Sequence, residues 1–388
     1  MPLVVYILAL TIFSLTTSEF MVAGMMPALS DALDASLTQI GRLISLYAAG
    51  MVVGGPLLTL TLLRLRVSNK KALLWLLSGY ALAQSVAAMS GSYPLMAAAR
   101  VVTGVVGSAC FGVALAICAE LVSPGERGRA ASVVVGGLML SAVFGVPMAS
   151  LMEQYAGWRA SFWLIVVLTL ACALIIALLV PARASSSTGR VADELAQFSN
   201  RHLWAAYASS GLIIGATFAA FSYFIPILTG VSGFSPSAMP WLFALYGLAN
   251  VAGNMLCGRY ADRYTLPILA GGLSVLTLAL LLFALFAYQP GISLAMVVVI
   301  GLTGVSLNPA MIARVMKTAH PGALVNTLHT SVINIGLGLG AFIGGLGIER
   351  WGLTFPLWIG ALLALVGLLS LVPYLKPVSS GGRPAWRE

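Results

Sequence analysis

Charge is what this chain has least of. Asp and Glu together number 11, against 20 Lys and Arg, and charged residues make up 8% of the 388 positions, where a soluble domain carries about 25%. With 60% of its residues hydrophobic, the chain cannot build a water-exposed surface, and lipid is the solvent it fits. Cysteine is equally sparse. Cys110, Cys118, Cys172 and Cys257 all fall in apolar runs, with neither CxxC nor Cys/His metal spacing, so no disulfide framework, redox motif or metal centre is expected. The chain has no GxxxxGK[ST] loop for a nucleotide, no HExxH for zinc and no GxSxG elbow for acyl transfer. These absences exclude ATP-driven, metalloprotease and hydrolase chemistry and imply no cofactor; an ion gradient is left as the source of energy. The net charge of +9 does not point to nucleic acid, because the bases are scattered among loops with no aromatic-lined stripe. The opening MPLVVYILAL lacks a basic leader and stays apolar beyond a short signal core, so it reads as a retained helix.

What is present is a series of bilayer-length apolar runs. Twelve are expected, near residues 3–27, 38–63, 72–89, 94–121, 130–152, 160–180, 202–228, 238–257, 266–287, 292–316, 324–348 and 354–374. Alternate loops differ in charge. One set holds Arg64, Arg66, Lys70, Lys71, Arg127, Arg129, Arg183, Arg190, Arg201, Arg259, Arg263, Arg314, Lys317, Lys376, Arg383 and Arg387, sixteen in all; the other holds only Arg42, Arg159 and Arg350. That asymmetry predicts that both termini and the central linker are cytoplasmic. The linker, 181–201, begins with the flexible PARASSS and continues as VADELAQFSN, whose Val191, Leu195 and Phe198 share one helical face, as in a short surface helix.

The two sides of that linker repeat. A slide of 199 residues carries Pro27 onto Pro226, Tyr47 onto Tyr246, Gly54 onto Gly253, Gly137 onto Gly336 and Gly145 onto Gly344. The expected architecture is an all-α membrane protein of twelve transmembrane helices in two pseudo-symmetric six-helix bundles, 1–180 and 202–375, with a tail at 376–388. The same slide places Glu19 on Phe218 and Arg100 on Val299, so buried charge is confined to the first half.

Glu19 is the outlier of the first run, about 12 Å inside its outer end, and Arg100 is the outlier of the fourth, about 9 Å inside. A carboxylate or guanidinium at that depth in lipid is a functional-site candidate by default. Two readings stand: a pair that separates when Glu19 takes a proton, or a fixed element in which Arg100 pairs permanently or binds only backbone carbonyls. Gly136, Gly137, Gly145 and Pro147 make the fifth run a candidate hinge, and close packing predicts the same pattern. Gly258, Arg259, Asp262 and Arg263 are placed in a tight turn after the eighth run, where Asp262 is a candidate latch onto a helix N-terminus. Tyr47, Phe111, Phe144, Phe221, Tyr223 and Tyr246, with Asn250, His329 and Asn334, are candidates to line a central substrate cavity. His329 fits a proton relay or a hydrogen bond between helices.

These motifs resemble the major facilitator superfamily, in its bacterial drug/proton antiporter branch. TTSEFMVAGMMPAL, Thr16 to Leu29, is similar to the first-span signature of chloramphenicol exporters and sugar-efflux relatives. Arg100 with Gly104 matches the fourth-span motif whose arginine is assigned to proton coupling; Gly137 to Pro147, ending GVP, is a loosened copy of the fifth-span antiporter motif; and GWRASFW, Gly157 to Trp163, is typical of the branch. The Gly-x-x-x-Asp-Arg motif after span two is degraded to TLTLLRLRVSNKK, while GRYADR keeps the second-half copy. The resemblance implies a secondary active transporter and not an enzyme: a monomeric, proton-coupled exporter of a small drug-like molecule such as chloramphenicol across the bacterial inner membrane. The alternatives are a sugar or metabolite exporter, or a proton symporter for nutrient uptake.

Overall fold

A computed structural model of the chain describes residues 2–65, 67–123, 127–181, 199–318 and 323–375. The expected surface helix around Val191, Leu195 and Phe198, and the tail at 376–388, lie outside the described residues. In chain order the helices are α1 (Leu3–Phe20), α2 (Met26–Leu33), α3 (Leu37–Arg64), α4 (Asn69–Met89), α5 (Tyr93–Leu121), α6 (Arg127–Leu140), α7 (Val146–Ala156), α8 (Trp158–Leu179), α9 (Arg201–Phe221), α10 (Phe224–Gly230), α11 (Met239–Phe286), α12 (Pro290–Thr303), α13 (Asn308–Thr318), α14 (Ala323–Leu346), α15 (Ile348–Trp351) and α16 (Phe355–Leu375). No strand occurs among the described residues.

Eleven segments are long and apolar enough to cross a membrane. One of them, Pro236–Phe286, is of double length and bends at Tyr264 (φ −122°, ψ 39°), so twelve crossings result. The bend has a local cause. Pro267 lacks an N–H, and its ring crowds the carbonyl four residues earlier, at Arg263. Lys317 braces the break by donating from Nζ to the Asp262 carbonyl (2.5 Å) and to Thr265 Oγ1 (2.8 Å). Gly258, Arg259, Asp262 and Arg263 are therefore helical residues of α11, which corrects the tight turn expected from the sequence.

Within the first six crossings α1 packs on α6 and α8, α3 on α5, and α4 on α5 and α8; within the last six α9 packs on α14 and α16, and α11 on α12 and α16. Lipid supplies no hydrophobic drive between helices, so close approach relies on small residues, and the two halves use them at equivalent places. Gly137 lies against the backbone of Ala9 as Gly336 lies against that of Gly211, and Gly104 lies against the Tyr47 carbonyl as Gly301 lies against that of Tyr246. These pairs refine the repeat: the offset is 202 for α1 and α9, 199 for α3 and α11, and 197 for α5 and α12. Glu19 consequently corresponds to Phe221, and Arg100 to Val297. The uniform slide missed this because the connection between the first two crossings is three residues shorter in the second half.

The halves meet along α3 and α14, and along α11 with α7 and the turn before it. Among the described residues, three hydrogen bonds cross the seam: Thr38 Oγ1 to the Gly345 carbonyl (2.8 Å), Ser45 Oγ to the Gly338 carbonyl (2.8 Å) and Gln154 Nε2 to the Pro236 carbonyl (2.7 Å). All three lie toward the end whose loops are poor in Lys and Arg. Tyr223 closes the same end, its hydroxyl donating to the Ala341 carbonyl (2.8 Å) beside Gly41 and Gly345.

Candidate functional site

Helix α1 stops at Phe20, and a short 3-10 turn, Ala23–Met25, follows before α2. A helix that ends inside the membrane leaves its last carbonyls without N–H partners. Arg100 supplies them. Its Nη1 donates to the Ser18 carbonyl (2.7 Å) and its Nη2 to the Glu19 carbonyl (2.9 Å), so the guanidinium caps the negative end of α1. The Tyr47 ring lies beneath it, with the guanidinium carbon 4.3 Å from the ring centroid, a favourable position over an electron-rich face. Arg100 is fully buried, and its Nε has no partner.

Of the alternatives read from the sequence, an ion pair with Glu19 gives way to backbone carbonyls as the acceptors of Arg100, because the break of α1 presents two of them side by side. The Glu19 carboxylate makes no hydrogen bond or ion pair among the described residues, although the side chain is only 7% exposed. It sits beside a buried cation with its acceptor capacity unused. Around it are Tyr47, a candidate from the sequence, and three groups the sequence reading did not single out, Ser18, Tyr80 and Gln84. Ser18 Oγ donates to Gln84 Oε1 (3.1 Å), the Tyr47 and Tyr80 hydroxyls are 3.4 Å apart, and the amide Nε2 of Gln84, a fully buried residue, is unpartnered. Tyr80 and Gln84 were detectable in principle, since two polar groups four residues apart share one face of an otherwise apolar helix.

The equivalent place in the second half holds rings instead of charges. Phe221 contacts Tyr246 (centroids 5.0 Å apart), Phe218 (5.4 Å), Phe243 (5.6 Å) and Phe224 (5.7 Å), and Phe20 of the first half joins Phe218 at 5.2 Å. Asn250 is buried one helical turn from Tyr246. Of the other cavity candidates, Tyr223 is buried at the closed end, Phe111 is half-buried about 16 Å along α5 from Arg100, and Phe144 is exposed; neither Phe111 nor Phe144 joins the cluster.

His329 belongs elsewhere. Its Nε2 and Ser210 Oγ are 2.9 Å apart, and its ring stacks on Tyr207 at 5.6 Å. Arg314, counted from the sequence among the loop bases, is buried nearby, bonded to Ser209 Oγ (2.5 Å) with its guanidinium carbon 5.0 Å from the Tyr374 ring centroid. Asn334 donates to the Thr330 carbonyl (3.0 Å) and borders the α3–α14 seam. Among the hinge candidates, a five-residue π-helical turn, Ser141–Gly145, precedes Pro147, with the Val146 N–H reaching back to the Ser141 carbonyl. The added residue accommodates the proline that follows. Gly145 lies against Thr17 and Gly137 against Ala9, while no atom lies near the position a Gly136 side chain would take. Gly258, Arg259, Asp262 and Arg263 are exposed residues, and the two arginines lie over the Tyr260 and Tyr264 rings. Among the described residues no cluster of three potential metal ligands occurs.

The family model described as Major Facilitator Superfamily matches residues 8–327 and 233–387. A chloramphenicol resistance protein of Streptomyces lividans is 31% identical, with 98% of each chain covered. The inner membrane transport protein YdhP of Escherichia coli K12 is 29% identical, with 93% of each covered. Among solved structures, a bacterial homologue of the human lysosomal transporter Spinster, in an inward-facing and occupied conformation, superposes with a TM-score of 0.76 at 16% identity, covering 95% of each chain.

Proposed function

Because the chain belongs to the major facilitator superfamily, we propose that this multi-pass membrane transporter is a proton-coupled antiporter. It exports a small, uncharged or weakly polar drug-like molecule of the chloramphenicol kind across the bacterial inner membrane. The observation that carries this reading is Glu19, a buried carboxylate with no hydrogen-bond or ionic partner, beside an arginine committed to backbone carbonyls. A group so placed can exchange a proton without dismantling the fold, since Arg100 keeps its acceptors in either protonation state.

The asymmetry of the loop charges supports cytoplasmic termini. In that orientation the seam hydrogen bonds close the outer end, and the substrate path opens toward the cytoplasm. Substrate enters between the halves and meets the Phe221 and Tyr246 rings on one side and the Glu19 carboxylate on the other. The π turn and Pro147 serve as the hinge about which the halves rock. Facing outward, Glu19 takes up a proton and the substrate leaves; facing inward, it gives the proton up and is ready for the next molecule. A potential of 100 mV contributes about 2.3 kcal/mol per proton, which sustains a concentration ratio of about fifty for a neutral substrate. The family relationship supports monomeric action, since one chain holds both halves of the path.

The test is proton release from inverted vesicles on adding chloramphenicol. Wild-type vesicles should respond, and Glu19→Gln vesicles should not, while the purified variant still binds the drug. Uphill export persisting in Glu19→Gln would remove Glu19 from the coupling step.

A further inference from the structure

A crevice of about 410 Å³ runs along the seam between α3 and α14. Its α3 wall is the exposed face of that helix, with Val53 60% exposed. On α3 it is bordered by Arg42, Leu46, Ala49 and Val53, whereas Ile40, Ile44 and Tyr47, on the opposite face, are buried in the interior. On α14 its walls include Leu339 and Phe342, 53% and 37% exposed. Below its mouth the lining is apolar except for Ser45 and Asn334, each of which donates to a backbone carbonyl. From Arg42 to Val53 it extends eleven residues, about 16 Å at the helical rise, close to the half-thickness of a hydrocarbon core about 30 Å across.

Arg42 stands at the mouth, in the second turn of α3 and level with the last turns of α14, with Tyr93 at the start of α5 beside it. The other two bases of this end are engaged by the protein: Arg159 donates to the Ser90 carbonyl (3.0 Å) and lies on the Trp158 ring, and Arg350 lies on the Trp351 ring. Arg42 rests 5.7 Å from the Phe342 ring centroid, its Nε is buried without a partner, and among the described residues it finds neither a hydrogen-bond acceptor nor a carboxylate. A forked cation at headgroup depth, above an apolar trough one leaflet deep, matches an anionic phosphodiester carrying an acyl chain.

We propose that the α3–α14 crevice is a phospholipid site, with the lipid phosphate on Arg42 and one acyl chain lying along Leu46, Ala49 and Val53. Ser45 borders the same crevice and donates across the seam to Gly338. A lipid seated there braces the closed end from outside.

The experiment is native mass spectrometry of the purified full chain, relipidated with phosphatidylglycerol or with diacylglycerol of the same acyl composition. The wild type should retain one tightly held phosphatidylglycerol and no diacylglycerol. Arg42→Gln should weaken that retention about tenfold, the scale of one charge-assisted hydrogen bond, and Arg42→Lys should restore part of it. Ala49→Trp, which fills the trough and leaves Arg42 intact, should displace the lipid as well. Equal retention by wild type and Arg42→Gln, equal retention of diacylglycerol, or displacement by millimolar inorganic phosphate alone would overturn the assignment. None of these readings requires transport, so the site stands or falls separately from the antiport mechanism.

Discussion

Arg100 shows how a guanidinium can be satisfied in lipid without forming a salt bridge among the described residues. Its two-pronged grip on the Ser18 and Glu19 carbonyls needs the fixed spacing of a guanidinium fork, which the single nitrogen of an ammonium cannot reproduce. Arg100→Lys should therefore insert normally yet lose at least about tenfold in uphill export, in line with the loss of one charge-assisted hydrogen bond worth roughly 1.5–3 kcal/mol. Substrate accumulation in inverted vesicles would measure it; export within about twofold of wild type would show that the grip is dispensable. As residues, Glu19 and Arg100 were legible from sequence because each is a charge well inside an apolar run, whereas Glu120 stands at the end of its run. Their relation was left between two readings, because it depends on where α1 stops, and the helix ends at Phe20, four residues before Gly24, the first breaker after Ser18. Arg314 was misread for the converse reason: a base near the end of a run looks like a loop residue until a facing helix offers it Ser209.

At the level of the elements, the glycines of α6 separate into packed and open positions, which sets a clean comparison. A side chain at Gly137 would enter the backbone of Ala9, and neither helix can yield without losing its partner; overpacking of this kind costs about 1–3 kcal/mol. Gly137→Val should lower the midpoint of thermal unfolding in detergent by several degrees, whereas Gly136→Val, with open space around it, should leave it nearly unchanged. Equal shifts would refute the packing assignment. The crossings themselves were legible because lipid demands unbroken apolar helices. The passage from the eighth crossing to the ninth was not, since GRYADR has the polar character of a loop while its backbone keeps helical hydrogen bonds as far as the break at Tyr264.

For the whole molecule, alternation requires the seam at the Lys/Arg-poor end to open. Gln154 and Pro236 meet there on the surface, and the four native cysteines are buried. A Gln154→Cys, Pro236→Cys variant joined by a short bifunctional thiol reagent should stop export, and cleaving the linker should restore it. Full transport with the bridge in place would mean that this end need not part. The repeat was legible in outline from shared Gly, Pro and Tyr landmarks. Its register drifts by a few residues between crossings, and only the packing of glycine on backbone fixes each pair.

That register matters most at one place. Where the first half sets Glu19 beside Arg100 and Tyr47, the second sets Phe221 against Tyr246, with Val297 at the position equivalent to Arg100. Under the proposed mechanism the two related bundles divide the labour, one carrying the proton step and the other the substrate contacts. On that reading, a change of cargo needs only a change of rings and leaves the proton site untouched, so the range of molecules carried can shift one aromatic substitution at a time.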